Sequence, residues 1–191
     1  MPTLAELADE ASTCTRCPLA AGRTHVVWGE GDPGARLMVV GEGPGRDEDL
    51  QGRPFVGRSG QLLDRLLVEE AGLRREQVYI ANVVKCRPPG NRDPLPEEIA
   101  ACRPYLEAQV ELVRPAVVLT LGNFATRLIL DTAERIGELR GRVHPWGAAG
   151  AVVVPTFHPA AALRGGGAVQ AAMRADFVRA KEVLAGSATR R

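Results

Sequence analysis

Short apolar runs alternate along this chain with stretches whose apolar residues recur at helical spacing. Arg36-Leu37-Met38-Val39-Val40, closed by Gly41, reads as a buried strand. Residues 78–84, 116–122 and 151–155 repeat that character. Between them, Leu62, Leu63, Leu66 and Leu67 fall on one face of a helix over 60–71, with Gly72 just past its end. Leu95-Pro96-Glu97-Glu98 opens a second helix with acids in its first turn, continuing to about 113. Helices are also predicted over 123–130 and 169–184, and Leu4, Leu7 and Ala8 predict a short opening one. Strands that are apolar throughout and separated by helices predict an α/β fold with a short, mainly parallel four-stranded sheet covered on both faces. Such sheets carry their sites beyond the carboxyl ends of the strands.

With 191 residues the chain is sized for one domain, assigned to 1–185, with a disordered tail expected over 186–191. Its apolar runs, such as 116–121, fall far short of the roughly 20 residues that span a bilayer, so no membrane association is expected. The first residues, Met1-Pro2-Thr3-Leu4-Ala5-Glu6-Leu7, carry an acid where a signal peptide needs basic and then apolar character, so a cytoplasmic protein is expected. A formal charge of +1 neither announces nor excludes a nucleic-acid partner.

Cys14 and Cys17 form a C-x-x-C pair, whereas Cys86 and Cys102 stand alone. Disulfides are disfavoured in a cytoplasmic chain, and a thioredoxin-like pair would follow a strand rather than precede the first one. The cysteines therefore read as ligands of a metal centre, either tetrahedral zinc or an iron-sulfur cluster. The loop Gly41-Glu42-Gly43-Pro44-Gly45-Arg46 follows a buried strand but is not a dinucleotide fingerprint, because Arg46 occupies the third glycine position. What remains is a glycine-rich loop that admits a ligand close to the backbone, with a carboxylate at its start.

Taken together, the Cys14/Cys17 pair, Gly41-Glu42-Gly43-Pro44-Gly45-x-x-Glu48-Asp49, Gly52-x-Pro54-Phe55-Val56-Gly57, Ala81-Asn82-Val83-Val84-Lys85-Cys86-Arg87-Pro88, Cys102-Arg103-Pro104 and His158-Pro159-Ala160-Ala161-Ala162-Leu163-Arg164 resemble the family-4, iron-sulfur-containing uracil-DNA glycosylases. Each motif is weak alone; their order and spacing are specific. The resemblance implies a three-layer α/β/α sandwich, a 4Fe-4S cluster on Cys14, Cys17, Cys86 and Cys102, and hydrolysis of the N-glycosidic bond of uracil in single- or double-stranded DNA by a monomer.

A glycosylase must extrude its base from the stack, at a few kcal/mol, into a pocket that recognises it. In that frame Phe55 offers a stacking face, and Asn82 can donate to uracil O4 while accepting from N3–H, the reverse of what cytosine presents. His158 can stabilise the charge that grows on O2 as uracil leaves. Leu163 and Arg164 are candidates for wedging into the duplex and holding a phosphate. Family-1 relatives carry an aspartate that positions water where this chain has Gly43, so the candidate carboxylate moves to Glu42, and Gly43 contributes backbone to the substrate. Glu48 and Asp49 are weaker candidates that fix the loop. His25 and His144 are expected in loops or on the surface. The competing expectation is a non-catalytic module that binds damaged DNA; a relative that traps uracil-DNA covalently needs a histidine in the loop 88–101, and none is there.

Overall fold

The structure, a computed structural model, describes residues 1–147 and 150–188. Helix α1 (Leu4–Ser12) is closed by a capping box in which Thr3 Oγ1 accepts from Glu6 N and Glu6 returns a carboxylate to Thr3 N. It leads through the Cys14 segment to β1 (Glu30–Gly31) and β2 (Leu37–Gly41). Helices α2 (Arg46–Gln51) and α3 (Arg58–Leu66) follow, the latter running into a π-helical turn, Leu67–Ala71, stopped by left-handed Gly72. Then come β3 (Tyr79–Asn82), α4 (Pro96–Val113), β4 (Val117–Leu121), α5 (Asn123–Leu130) and α6 (Ile136–Leu139). Strands β5 (His144–Trp146) and β6 (Ala151–Thr156), then α7 (Pro159–Gly165) and α8 (Gly167–Ala188), complete the described chain.

One sheet runs in the order β1-β3-β2-β4-β6-β5. The four expected strands form its parallel centre, and two short antiparallel edge strands, β1 on β3 and β5 on β6, raise the total to six. Alternation along each central strand sorts the core into two layers. Leu37, Val39, Ile80, Leu119 and Val154 face α3 and α8, while Met38, Val40, Ala81, Val118 and Val153 face the α4 and α5 side. The expected α/β/α sandwich is therefore present. From β2 the chain moves outward to β3 in one direction and from β4 to β6 in the other, so the strand order reverses between β2 and β4. A crevice opens at the carboxyl ends there.

The tail departs from expectation. Helix α8 continues through Gly186 to Ala188 because Arg36 reaches across to its last turn, donating to the Leu184 carbonyl at 2.9 Å and to Ser187 Oγ at 2.5 Å. Residues 189–191 of the expected tail lie outside the described residues. His144 is likewise in edge strand β5 rather than a loop, its Nε2 2.8 Å from the Leu139 carbonyl oxygen, whereas His25 is an exposed loop residue.

Candidate active site and cysteine centre

A cavity of about 370 Å³ lies at the carboxyl ends of β2, β3 and β6 and is lined by Glu42, Gly43, Phe55, Asn82, His158 and Arg164, among others. Five of the expected substrate-binding and catalytic positions thus meet in one place, and Arg164 joins them at the rim.

Gly41 is the pivot of this meeting. A Cβ there would fall 2.4 Å from Phe55 Cζ and 2.5 Å from Asn82 Oδ1, so only glycine lets both side chains close on the end of β2. Gly43 is similarly constrained, since its Cβ would lie 2.7 Å from Val84 Cγ2. The loop that follows is held by Glu48, whose carboxylate accepts backbone N–H groups from Gly45, Val56 and Gly57 at 3.1 Å each. Buried Asp49 accepts from Thr24 N and His25 N. Both carboxylates thus hold backbone N–H groups of the surrounding loops, and Glu48 also lines the cavity.

Phe55 has a left-handed backbone, φ +50°, and its carbonyl accepts from Arg75 at 2.9 Å. Although glycine and proline surround it in sequence, Phe55 is buried within the α3/α8 core layer. The reason is close approach: a Cβ on Gly60 would sit 1.8 Å from the Phe55 carbonyl oxygen, so this glycine lets the segment press onto α3. Asn82 closes β3 at 1% exposure, and among the described residues its Oδ1 has no hydrogen-bond partner. A buried carbonyl oxygen left unpaired costs about 1–3 kcal/mol.

His158 follows β6 and caps α7, its Nδ1 accepting from Ala160 N at 3.1 Å. That bond puts the proton of a neutral imidazole on Nε2. Burial, helped by the nearby Arg164 charge, lowers its pKa to about 4. Its ring centroid lies 5.9 Å from that of Phe55, and left-handed Gly122 after β4 makes room for it, a Cβ there being 3.1 Å from His158 Cβ. Glu42 is partly buried, and desolvation, reinforced by the facing Asp93 carboxylate, raises its pKa to about 7. On α7, Leu163 is 41% exposed and Arg164 is exposed beside it.

The loop 88–94 forms a further cavity wall that, past Pro88, none of the sequence motifs marks. Asn91, at φ +57°, and Asp93 both line the cavity. The Gly90-Asn91 pair is itself a turn signal. Arg92 locks the loop by a bidentate bond to the buried Glu98 carboxylate at 3.0 and 2.7 Å.

All four cysteines line a second, small cavity together with Arg23 and Lys85. Cys14 and Cys17 are partly buried and Cys86 and Cys102 are buried, none in a disulfide. Arg23 donates to Cys86 Sγ at 3.6 Å and the Lys85 amide donates to Cys102 Sγ at 3.4 Å. Burial raises the Cys86 thiol to about 11 and pushes Cys102 up as well. Four cysteines lining one cavity, with N–H donors to two of the sulfurs, are a donor set of the kind a thiolate-bound metal uses. Among the described residues, no three Cys, His, Asp or Glu side chains are already gathered around a single point as an ion's ligands. Cys86 and Cys102 pack in the α4/α5 layer.

A glycine-rich loop after β2, a cavity at the strand ends and a histidine after the last central strand mark an α/β protein with a ligand site where the strand order reverses. A model of the uracil DNA glycosylase superfamily matches residues 28–183, and the chain belongs to that superfamily, in its type-4 branch. It is 45% identical over 190 residues to the type-4 uracil-DNA glycosylase of Saccharolobus solfataricus, covering 96% of this chain and 88% of the relative. Identity is 51% over 159 residues with the type-4 enzyme of Thermotoga maritima, covering 83% and 82%. With that of Sulfurisphaera tokodaii it is 46% over 169 residues, covering 85% and 77%.

Proposed function

We infer that the protein removes uracil from DNA by hydrolysing its N-glycosidic bond, leaving an abasic site and an intact backbone. The observation that carries the assignment of roles is the unpartnered Asn82 Oδ1 at the end of β3, in one cavity with Phe55 and His158. An acceptor fixed there takes the uracil N3–H while the amide N–H₂ donates to O4; cytosine reverses both and leaves two bonds unmade. Phe55 supplies the stacking face.

Neutral His158 donates from Nε2 to uracil O2, where charge develops as the glycosidic bond lengthens. A neutral donor of low pKa stabilises the departing anion without losing its proton, because imidazole is a far weaker acid than imidazolium. Ionised Glu42 offsets the positive charge on the sugar and orients the attacking water; Asn91 and Asp93 share its wall. Leu163 takes the place of the extruded nucleotide, and Arg164 holds a flanking phosphate. The cysteines hold a 4Fe-4S cluster, which when bound ties the N-terminal segment, the Cys86 loop and α4 together. The protein is one domain, acts as a monomer in the cytoplasm, and accepts single- or double-stranded DNA; no described helix is long and apolar enough to cross a membrane.

The test is an end-labelled oligonucleotide with one uracil, incubated with the protein in EDTA and then treated with alkali. A break at uracil that requires alkali, is absent with thymine and disappears in His158→Ala supports the assignment. Uracil-dependent binding without a break would instead identify a non-catalytic binding module. Iron and acid-labile sulfide in the purified protein support the cluster, and stoichiometric zinc overturns it.

A further inference from the structure

Lys85 is among the largest side chains that are fully buried in this protein. Its Nζ donates to the main-chain carbonyl of Asn82 at 2.7 Å and to Gln109 Oε1 at 2.6 Å, and lies 5.7 Å from the centre of the Trp28 ring. Gln109 is held in turn, its Nε2 donating to the Trp28 carbonyl at 2.8 Å and to Tyr79 Oη at 3.3 Å. At its other end, the main-chain N–H of Lys85 points at Cys102 Sγ, 3.4 Å away. Cys102 and Gln109 are both on α4, two helical turns apart and so on one face. A single helix face thus grips both ends of the turn that leaves Asn82.

The amine is costly as core filling. A methionine would occupy similar space without a polar head to desolvate, whereas the buried nitrogen is tolerated only because two acceptors meet it. Those acceptors need N–H donors alone, which the amine keeps in either protonation state. What the arrangement supplies is orientation. An asparagine separates uracil from cytosine only while its amide edge keeps one direction, and Asn82 Oδ1 has no partner among the described residues to hold it. Its direction is therefore set through its own backbone, at the carbonyl that Lys85 holds.

We propose that Lys85, braced by Gln109, is a positioning residue for base recognition, fixing Asn82 against the helix that carries Cys102. The proposal rests on the reading of Asn82 as the residue that meets the uracil edge. It makes the cysteine centre and the base-reading side chain parts of one rigid unit, although neither Lys85 nor Gln109 lines the uracil cavity.

The experiment compares the wild type with Lys85→Met, Gln109→Leu, Gln109→Glu and Asn82→Ala in three measurements: inhibition of cleavage by free uracil, affinity for an oligonucleotide with an abasic site, and bound metal. In Lys85→Met and Gln109→Leu, inhibition by uracil is expected to weaken at least about tenfold, the scale of a buried polar group left unpaired. Abasic-DNA affinity and metal content are expected to stay at the wild-type level, and Gln109→Glu, which keeps an acceptor for Lys85, to retain uracil inhibition. Unchanged uracil inhibition in Lys85→Met overturns the proposal. So does joint loss of metal and abasic-DNA binding, which assigns Lys85 to the cysteine centre instead. Where Lys85→Met does not fold, Gln109→Leu decides by the same criteria. If Asn82→Ala also leaves uracil inhibition intact, the base-reading role of Asn82 has failed; if it weakens inhibition while the Lys85 and Gln109 variants do not, only the positioning role has.

Discussion

Burial disfavours charge on both His158 and Glu42, lowering one pKa to about 4 and raising the other to about 7. The histidine is thus neutral across the working range, and in the proposed mechanism the pH dependence of the chemical step follows Glu42. Single-turnover cleavage is expected to rise with pH, with a midpoint near 7, and then to level off. Glu42→Gln is expected to remove that limb and to slow cleavage about 10²-fold at pH 8, the usual scale for a positioned carboxylate. A limb that persists in the variant would assign the titration to another group. His158→Ala should cost roughly 10²- to 10³-fold at every pH, as loss of one aimed donor does. Stability moves the opposite way for Glu42. Its folded pKa lies above the ordinary 4.5, so the folded state binds the extra proton between those values and stability falls as pH rises from about 4.5 to about 7. Glu42→Gln is therefore expected to melt above the wild type at pH 8, with the gap closing below about pH 4.5 in thermal scans. These side chains were legible in the sequence as residue types at strand ends. Their protonation was not, because it depends on Asp93, Arg164 and the cavity walls, which only folding brings near.

The central strands announced themselves by continuous apolar character, whereas β1 and β5 did not. Glu30–Gly31 and His144–Trp146 are too short for any periodicity and exist because β3 and β6 offer free edges. Pro145 within β5 is compatible only with such an edge, since it has no N–H to donate. The Phe55 segment shows the same limit in another form. Its glycines and prolines signalled a loop, but not that Gly60 would admit the Phe55 carbonyl against α3 or that Arg75 would bind it there. Gly60→Ala tests this packing. The added methyl meets backbone at 1.8 Å rather than a flexible side-chain end, so the Phe55 segment must move. A loss of about 1–3 kcal/mol is expected, seen as a Tm lower by several degrees for a chain of this size. Free uracil should also inhibit more weakly as the stacking face is displaced. Unaltered Tm and inhibition together would show that the segment yields without consequence.

Across the whole molecule, the cysteine centre gathers residues whose separation in sequence hid their contact. The C-x-x-C spacing of Cys14 and Cys17 was visible, but bringing Cys86 from the end of β3 beside Cys102 on α4 takes the full β3–α4 connection, and no local pattern encodes it. The segment after α1 is tied to this layer by Val27 N donating to the Lys85 carbonyl at 2.7 Å, by Gln109 donating to the Trp28 carbonyl, by Arg23 donating to Cys86 Sγ, and by the packing of Leu19. Without a metal, burial holds the Cys86 thiol near 11 and pushes Cys102 up as well, and neutral thiols there offer the N-terminal segment only weak attraction. A metal bound by the four cysteines would add a further staple between that segment, the Cys86 loop and α4. Cys86→Ser is accordingly expected to lose its metal and to drop in Tm by roughly 10 °C or more, since the binding free energy of a structural metal is folding free energy. Because Phe55, His158 and Glu42 are held from the other core layer and from the ends of β2 and β6, cleavage assayed well below the lowered Tm should fall less than in His158→Ala. Metal content, Tm and single-turnover rate measured on one preparation separate the two contributions. A variant that keeps the wild-type Tm without metal, or loses cleavage as fully as His158→Ala while still folded, would show that the centre does something other than hold the fold.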